Sequence, residues 1–252
     1  AVDARFYDGQ MRFVKFPYAI ESLSGHLTFN SATKNWQFLE LVGKHGSGRL
    51  QATGSFAGEP SPGVLDLKIT AKNAPLDSDL YNALTRSQRD LWKLIDPDGF
   101  CDVTAKVNWT AGPGLPVIVH FPAETPVRIF NTKIRPRQFP FDMFVEEAYV
   151  SFDSNDPRYA GVQHCEIHSF DATHDAAKIR ATGWAEAKPN GEWQVHLNDL
   201  TASDLRPDDQ LRAALPQTWR STMERLHQQG TVSIDKSQID FRGTLAGDRN
   251  TT

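Results

Sequence analysis

Three histidines and a cysteine lie close together in residues 163–175, which read QHCEIHSFDATHD. Imidazole and thiolate groups bind Zn²⁺ when they converge on one point at about 2.0–2.3 Å. The alternation of residue types predicts a strand here, on which His164 and His168 share a face but lie roughly 13 Å apart. Cys165 points to the other face. We therefore expect solvated strand histidines and no metal site.

Two other segments contain residue types that can perform chemistry. Residues 96–99 read DPDG, but a calcium loop needs further oxygen ligands and a distal glutamate at fixed spacing. Ser47 lies between glycines without the strand–turn–helix context of a GxSxG nucleophile. We predict no catalytic residue, no metal and no cofactor, and hence no enzyme. A hydrolase or metalloenzyme would need His164, His168 and a carboxylate to converge.

An internal repeat helps to separate structural residues from candidate catalytic residues. The matched segments are 4–20 with 127–143, 27–30 with 150–153, 50–54 with 179–183, and 77–84 with 207–215. His45 and His174 both precede the strand that contains the matched ATG sequence, which indicates a structural role at a turn. Repeated residues are usually scaffold, whereas a single catalytic centre needs residues that occur once. We predict two units, over residues 4–126 and 127–245.

Composition narrows the class of protein. A net charge of −4 provides no basic surface for nucleic acid, and an apolar fraction of 39% fits a folded chain. No apolar run approaches the roughly 20 residues of a membrane span. The chain enters the first copy within a few residues, and we interpret it as a piece of a longer protein. Cys101 and Cys165 do not occupy matched positions, so we expect both to be unpaired.

Most of each copy alternates apolar and polar residues with period two, which predicts strands with one buried face. Short turn segments separate them, as expected for an antiparallel meander. Helical periodicity occurs once per copy, over about 78–95 and about 208–227, where Pro216 divides the second helix into two pieces. The predicted fold class is mainly β: two tandem curved antiparallel meanders, each with one inserted helix. They form either an open groove or a closed, sandwich-like core.

Apolar side chains recur on one side of successive predicted strands. Neighbouring strands about 4.8 Å apart would join them into a continuous strip suited to a hydrocarbon chain. The candidate lipid-facing residues are Leu65, Leu67, Ile69, Val103, Val107, Trp109, Val195, Leu197, Val232 and Ile234.

The order of elements resembles the AsmA-like superfamily, which includes TamB and related bridge-like proteins of the Gram-negative envelope. The resembling segments are FP[YF] at 16–18 and 139–141, LSGHLTFN at 23–30, GSGRLQATG at 46–54, LDLKITAKNAPLDSDL at 65–80 and CDVTAKVNW at 101–109. The resemblance implies a long curved sheet around an apolar groove, a periplasmic location, a parent protein anchored in the inner membrane, and a role in lipid transport or outer-membrane assembly. It implies no catalytic residues. The predicted helix in each copy is a difference from the superfamily, in which the groove is continuous and open.

The leading hypothesis is a non-enzymatic periplasmic segment of an AsmA-like protein that shields lipid acyl chains during transport from the inner to the outer membrane or during outer-membrane assembly. Its expected partners are membrane lipid and other envelope proteins, and not nucleic acid. The alternative is a repeated β-rich module with closed cores that binds protein or glycan, or spaces other domains. The two hypotheses differ in how much apolar strand face is left uncovered.

Overall fold

The computed structural model describes residues 2–244 except 14–15, 59–61, 85, 113–114, 116, 153–161, 216, 218–219 and 222–229. The chain forms two compact units. Unit 1 contains Ala1–Leu84 and Phe100–Val127, and unit 2 contains Thr85–Gly99 and Arg128–Thr252. The predicted fold class is confirmed, because most described residues lie in antiparallel strands joined as meanders.

Unit 1 is a meander in which each strand pairs with the next along the chain. Its elements are β1 (Val2–Phe13), β2 (Phe16–Asn30), β3 (Asn35–His45), β4 (Gly48–Ala57), β5 (Val64–Pro75), α1 (Ser78–Ala83), β6 (Asp98–Thr110) and β7 (Val117–His120). Strands β1 to β6 are neighbours in that order, and β7 pairs with β6. The helix therefore lies between the fifth and sixth strands.

Unit 2 repeats this order. Its elements are α2 (Arg86–Ile95), β8 (Val127–Ile134), β9 (Met143–Phe152), β10 (Gln163–His174), β11 (Ala177–Ala187), β12 (Glu192–Leu205), α3 (Asp209–Ala214) and β13 (Val232–Thr244). Strands β8 to β13 are neighbours in sequence order, with α3 between the fifth and sixth. The segment before β9 reaches the last strand of the unit, because the rings of Phe139 and of Phe241 on β13 are 6.4 Å apart. A flat sheet would separate β9 from β13 by about 19 Å.

The prediction of one helix over 78–95 was wrong. Asp77 caps α1, but the helix ends at Leu84, whose backbone is extended at ψ 155°. A second helix, α2, follows. The two helices bury their apolar sides in different units, Ala83 in unit 1 and Leu94 in unit 2, so the continuous helical periodicity of the sequence spans a change of packing partner.

The first of the two pieces predicted for the second helix is present as α3, which ends before Pro216. Helix α3 starts after its N-cap Asp208 and ends before Leu215, which is extended at ψ 146°. Leu215 precedes Pro216, and a proline disfavours helical backbone in the residue before it. The predicted second piece, over 216–227, lies mostly outside the described residues. Among the described residues, no helix is long and apolar enough to cross a membrane.

Candidate functional site

The strand registers of unit 1 align apolar side chains of neighbouring strands in rows on one face. The first row is Phe29, Trp36, Phe56, Leu65, Trp109 and Val117. The second is Leu27, Phe38, Gly54, Leu67, Val107 and Val119. A shorter third row is Leu41, Ala52, Ile69 and Ala105. We call these sixteen residues the unit 1 apolar face.

The opposite side of the same strands is polar. Between the first two rows, the register aligns Thr28, Gln37, Ser55, Asp66 and Asn108. Directly opposite residues of an antiparallel pair share a face, and the next residue along each strand points to the other face. The alternation seen in the sequence therefore produces a sheet with one apolar and one solvated side.

The side chains of the unit 1 apolar face are partly covered. None of its sixteen residues is buried, and all are half-buried. The buried residues of the same strands, such as Leu50 and Ala71, lie in the next row along, and α1 packs against β2. Two of the rows cross six strands and the third crosses four, so the face extends over roughly 20 Å by 24 Å of the sheet.

Close packing between strands requires a glycine in the second row, at Gly54. A Cβ at Gly54 would collide with the backbone carbonyl of Asp66 on the neighbouring strand. Gly183 in unit 2 has the same close approach, to the carbonyl of His196. The ATG sequence is therefore repeated because β4 and β11 each approach the following strand too closely for a side chain at this position.

Unit 2 has equivalent rows. The first is Phe152, Cys165, Ala185, Val195 and Phe241, and the second is Val150, Ile167, Gly183, Leu197 and Ile239. Helices cover much of this face. Leu91 and Leu94 of α2 pack with Trp193, Val195 and Phe241. The α3 end contributes a larger cluster that includes Leu211 and reaches Leu197, Ile234 and Ile239.

The candidate lipid-facing residues thus fall into two groups. Leu65, Leu67, Ile69, Val107 and Trp109 belong to the unit 1 apolar face, and Val103 is half-buried in the row beside it. In unit 2, Val195 packs against α2, and Leu197 and Ile234 pack against the α3 cluster, while Val232 is half-buried near the start of β13. In both units most residues of the two longer rows are half-buried, and Val150 and Gly183 of unit 2 are buried.

The repeated histidines are structural. In unit 1, His45 lies with Nδ1 2.8 Å from the carbonyl oxygen of Ala19 and Nε2 3.0 Å from an Asp77 carboxylate oxygen. The other Asp77 oxygen accepts a hydrogen bond from the backbone N–H of Leu80 at 2.9 Å. The ring of Tyr18, from the FP[YF] segment, lies 4.1 Å from the imidazole. His45 therefore links the start of β2 to the N-cap of α1.

The same arrangement occurs in unit 2. His174 Nδ1 is 2.7 Å from the Asp142 carbonyl, and Nε2 is 3.0 Å from Asp208, which caps α3 through the Leu211 N–H. Phe141 takes the place of the tyrosine, at 4.0 Å. We call each set a histidine latch. Burial disfavours the charged ring, but the hydrogen bonds to Asp208 and the Asp142 carbonyl outweigh it and raise the pKa of His174.

Oxygen and nitrogen ligands of His174, Asp175 and Asp208 lie within 4.8 Å of one another, a spacing that could hold a cation. Both ring nitrogens of His174 already face oxygen acceptors. An imidazole that donates from both nitrogens has no lone pair for a metal. The cluster therefore acts as a latch and supports no metal assignment.

The expectation of solvated histidines was wrong for His164, which is 8% exposed. Its Nδ1 lies 3.0 Å from Glu186, and its ring stacks on Trp184 at 6.1 Å. Trp184 also stacks on His196 at 5.5 Å. His168 instead contacts the Ser151 hydroxyl at 2.9 Å. Cross-strand neighbours cover His164, and the side-chain contacts given above for His164 and His168 are with different residues, as is usual for side chains of a sheet.

Both cysteines are free thiols, as expected. Cys101 is buried with the apolar side of β6, and Cys165 is half-buried on β10. Burial raises the pKa of each thiol to about 12. A thiol with so high a pKa is almost entirely protonated at neutral pH and is a poor nucleophile.

Comparison of the chain with known protein families, with curated proteins and with solved structures finds no match.

Proposed function

We propose that this chain is a non-enzymatic segment of a periplasmic, AsmA-like envelope protein, and that the unit 1 apolar face shields lipid acyl chains during transfer between membranes. The observation that carries the proposal is that all sixteen residues of that face are partly accessible and none is fully buried. A soluble chain gains by burying apolar surface, so a broad apolar face that stays partly accessible favours an apolar ligand.

The dimensions and energies suit reversible binding. An acyl chain of one bilayer leaflet is about 15 Å long, which fits within a face of roughly 20 Å by 24 Å. Each fully buried methylene contributes about 0.8 kcal/mol, so half-covering 16 of them contributes on the order of 6 kcal/mol. Association costs at least about 4 kcal/mol in lost freedom of movement. The resulting weak binding allows a carrier to release what it takes up.

The chemistry around the face also fits shielding better than turnover. The polar side chains nearest to it point to the opposite side of the sheet. His45, His164 and His174 pair with carboxylates, and both thiols have raised pKa values. A ligand lying on these rows would contact hydrocarbon side chains, with the reactive groups on other parts of the fold.

A second candidate is a binding or spacer module for protein or glycan. The observation that favours it is the cover that α2 and α3 provide over unit 2, where Trp193 and Leu211 are buried. In that case the repeat would serve to build stable sheets, and the open face of unit 1 would dock an apolar surface of another envelope protein.

Site-specific photocrosslinking in envelope-containing cells separates the two candidates. The photoreactive residue replaces Leu67 or Val107 on the apolar face, with the next residues, Lys68 and Asn108, as matched controls on the polar face. We expect lipid adducts from the apolar pair alone. Protein adducts from that pair would favour the docking module. Absence of lipid adducts at all four positions would refute the proposal.

A further inference from the structure

Strand β1 is an edge strand with one side unpaired. It pairs with β2 and with no other strand of the described chain. From Val2 to Arg12 every residue is exposed except Phe6 and Gly9, which are half-buried. A long edge strand presents a row of unpaired main-chain N–H and C=O groups, and such a row can pair with a further strand. The shape and the charges of β1 indicate which strand that is.

A β-bulge in the middle of β1 sets which of its residues share a face. Three steps along β1, from Phe6 to Gly9, match two steps along β2, from Gly25 to Leu23. Asp8, within this segment, has a positive φ of 54°. A bulge inserts one extra residue, so the alternation of faces shifts by one where it occurs. The residues of β1 that share the apolar side are Val2, Ala4, Phe6, Gly9 and Met11.

We propose that β1 pairs antiparallel with β1 of a second copy of this chain and forms a symmetric dimer. Ala4 then lies opposite Met11 of the second copy, and Phe6 lies opposite Gly9. The two bulges face each other at the two-fold axis, so the extra residue of one strand is matched by that of the other. Tyr7, which is 74% exposed in the single chain, lies beside this axis. Both strands keep their apolar residues on one side, and each contact occurs twice.

The charged residues of β1 favour the same register. Asp3 lies opposite Arg12 of the second copy on the polar side, and both side chains are exposed. One Asp3 carboxylate oxygen is 2.9 Å from His26 Nε2, which leaves the other oxygen for Arg12. Unlike charges directly opposite each other stabilise an antiparallel pair, and like charges destabilise it. A shift of two residues in one direction places Arg5 opposite Arg12, and a shift in the other direction separates the two bulges.

This pairing joins the unit 1 apolar faces of the two copies. Val2 and Ala4 lie opposite Phe29 and Leu27 of β2, so β1 continues the first and second rows to the edge of the sheet. A two-fold axis perpendicular to the sheet keeps the apolar faces of both copies on the same side. The dimer follows from the edge, the bulge and the charges, and it does not require the proposed function.

Sedimentation equilibrium of the whole chain measures the dissociation constant of the dimer. Arg12→Glu places two carboxylates opposite each other at both ends of the paired strands, and Asp3→Arg places two guanidinium groups there. We expect each substitution to weaken the dimer at least about tenfold. The double variant, which exchanges the two charges, should restore the dissociation constant to within about threefold. Lys68→Glu, the same change of charge on the exposed side of β5, should leave it unaltered.

Hydrogen exchange on the unmodified chain gives a second measurement that does not depend on how a variant folds. Raising the concentration through the dissociation constant should slow exchange of the β1 amides that face away from β2. The amides of β13, the edge strand of unit 2, should exchange at an unchanged rate.

Three outcomes would refute the pairing. The first is a chain that stays monomeric up to about 1 mM. The second is a dimer that neither charge reversal weakens. The third is a series of species that grows beyond the dimer with concentration, or protection of β13 in place of β1, since both indicate head-to-tail contacts between different edges. The photocrosslinking from Leu67 and Val107 tests the proposed function separately, so either idea can fail alone.

Discussion

The latch of unit 2 predicts a specific dependence of stability on pH. Replacing His174 with glutamine keeps one hydrogen-bond donor for Asp208 or the Asp142 carbonyl but removes the group that titrates. The wild-type ring is 14% exposed and donates to a carboxylate at 3.0 Å and a carbonyl at 2.7 Å. Hydrogen bonds that involve a charged group are worth about 1.5–3 kcal/mol, against about 1 kcal/mol for neutral ones. The charge on His174 should therefore add about 1 kcal/mol.

The sign follows from the two pKa shifts. The pKa of His174 is raised in the folded state, so its contribution is complete below the unfolded pKa of about 6.5 and is lost as pH rises through the folded pKa. Burial opposes ionisation of Asp208, but hydrogen bonds from the Leu211 N–H and His174 outweigh it and lower its pKa. Its contribution is present above about pH 4 and is lost as pH falls through the folded pKa. The latch is strongest between about pH 4 and 6.5.

Urea unfolding at pH 5.5 and 8.5 measures this contribution. We expect the free energy of unfolding of the wild type to fall by about 1 kcal/mol more than that of His174→Gln over this interval. Other titrating groups, including His196, whose pKa is raised by the hydrogen bond to Asp240, cancel in the difference. Parallel pH curves for the two proteins would show that His174 is not held charged by its latch.

Three further expectations test the packing. Gly54→Ala should cost at least about 2 kcal/mol of unfolding free energy in urea, because its Cβ meets the Asp66 carbonyl, whereas Thr53→Ala on the exposed side should cost little. Tyr18→Phe should stabilise the chain by about 1 kcal/mol in the same assay, because its buried hydroxyl has no hydrogen-bond partner among the described residues; a loss of stability would contradict this explanation. Cys101, which is buried and has a pKa raised to about 12, should react with a thiol reagent at pH 8 only after denaturation, and rapid labelling of Cys101 in the folded chain would contradict this expectation.

The strands could be predicted from local sequence, because the alternation of apolar and polar residues along a strand reflects its buried and solvated faces. The alternation of Leu65, Leu67 and Ile69 with polar residues is visible without any partner, and the structure aligns these residues in rows. The break at Leu84 was not visible. Helical periodicity continues from Leu80 to Leu94, and the division arises because the two halves pack in different units. A change of packing partner leaves no local signal in the sequence.

The histidine latches could be predicted in part from the sequence. A histidine, an aspartate before a helix and an aromatic residue after a proline recur in both copies, which was a signal that the three act together. Their contact could not be derived, since it joins segments far apart along the chain, such as Tyr18 and Asp77 through His45. The burial of His164 was missed for the same reason, because the Trp184 that stacks on it belongs to the next strand.

The strand order also bears on how the chain reaches its folded state. Within each unit every strand pairs with the strand just before it, so no pairing has to wait for a distant segment to arrive. Contacts between sequence neighbours close small loops and favour rapid folding. A hairpin such as β3–β4, joined by the tight turn at Gly46, can form early, and later strands can add one at a time to its edge. A chain that emerges from a narrow channel beginning with its N-terminal end could therefore assemble these sheets in the order in which its strands appear.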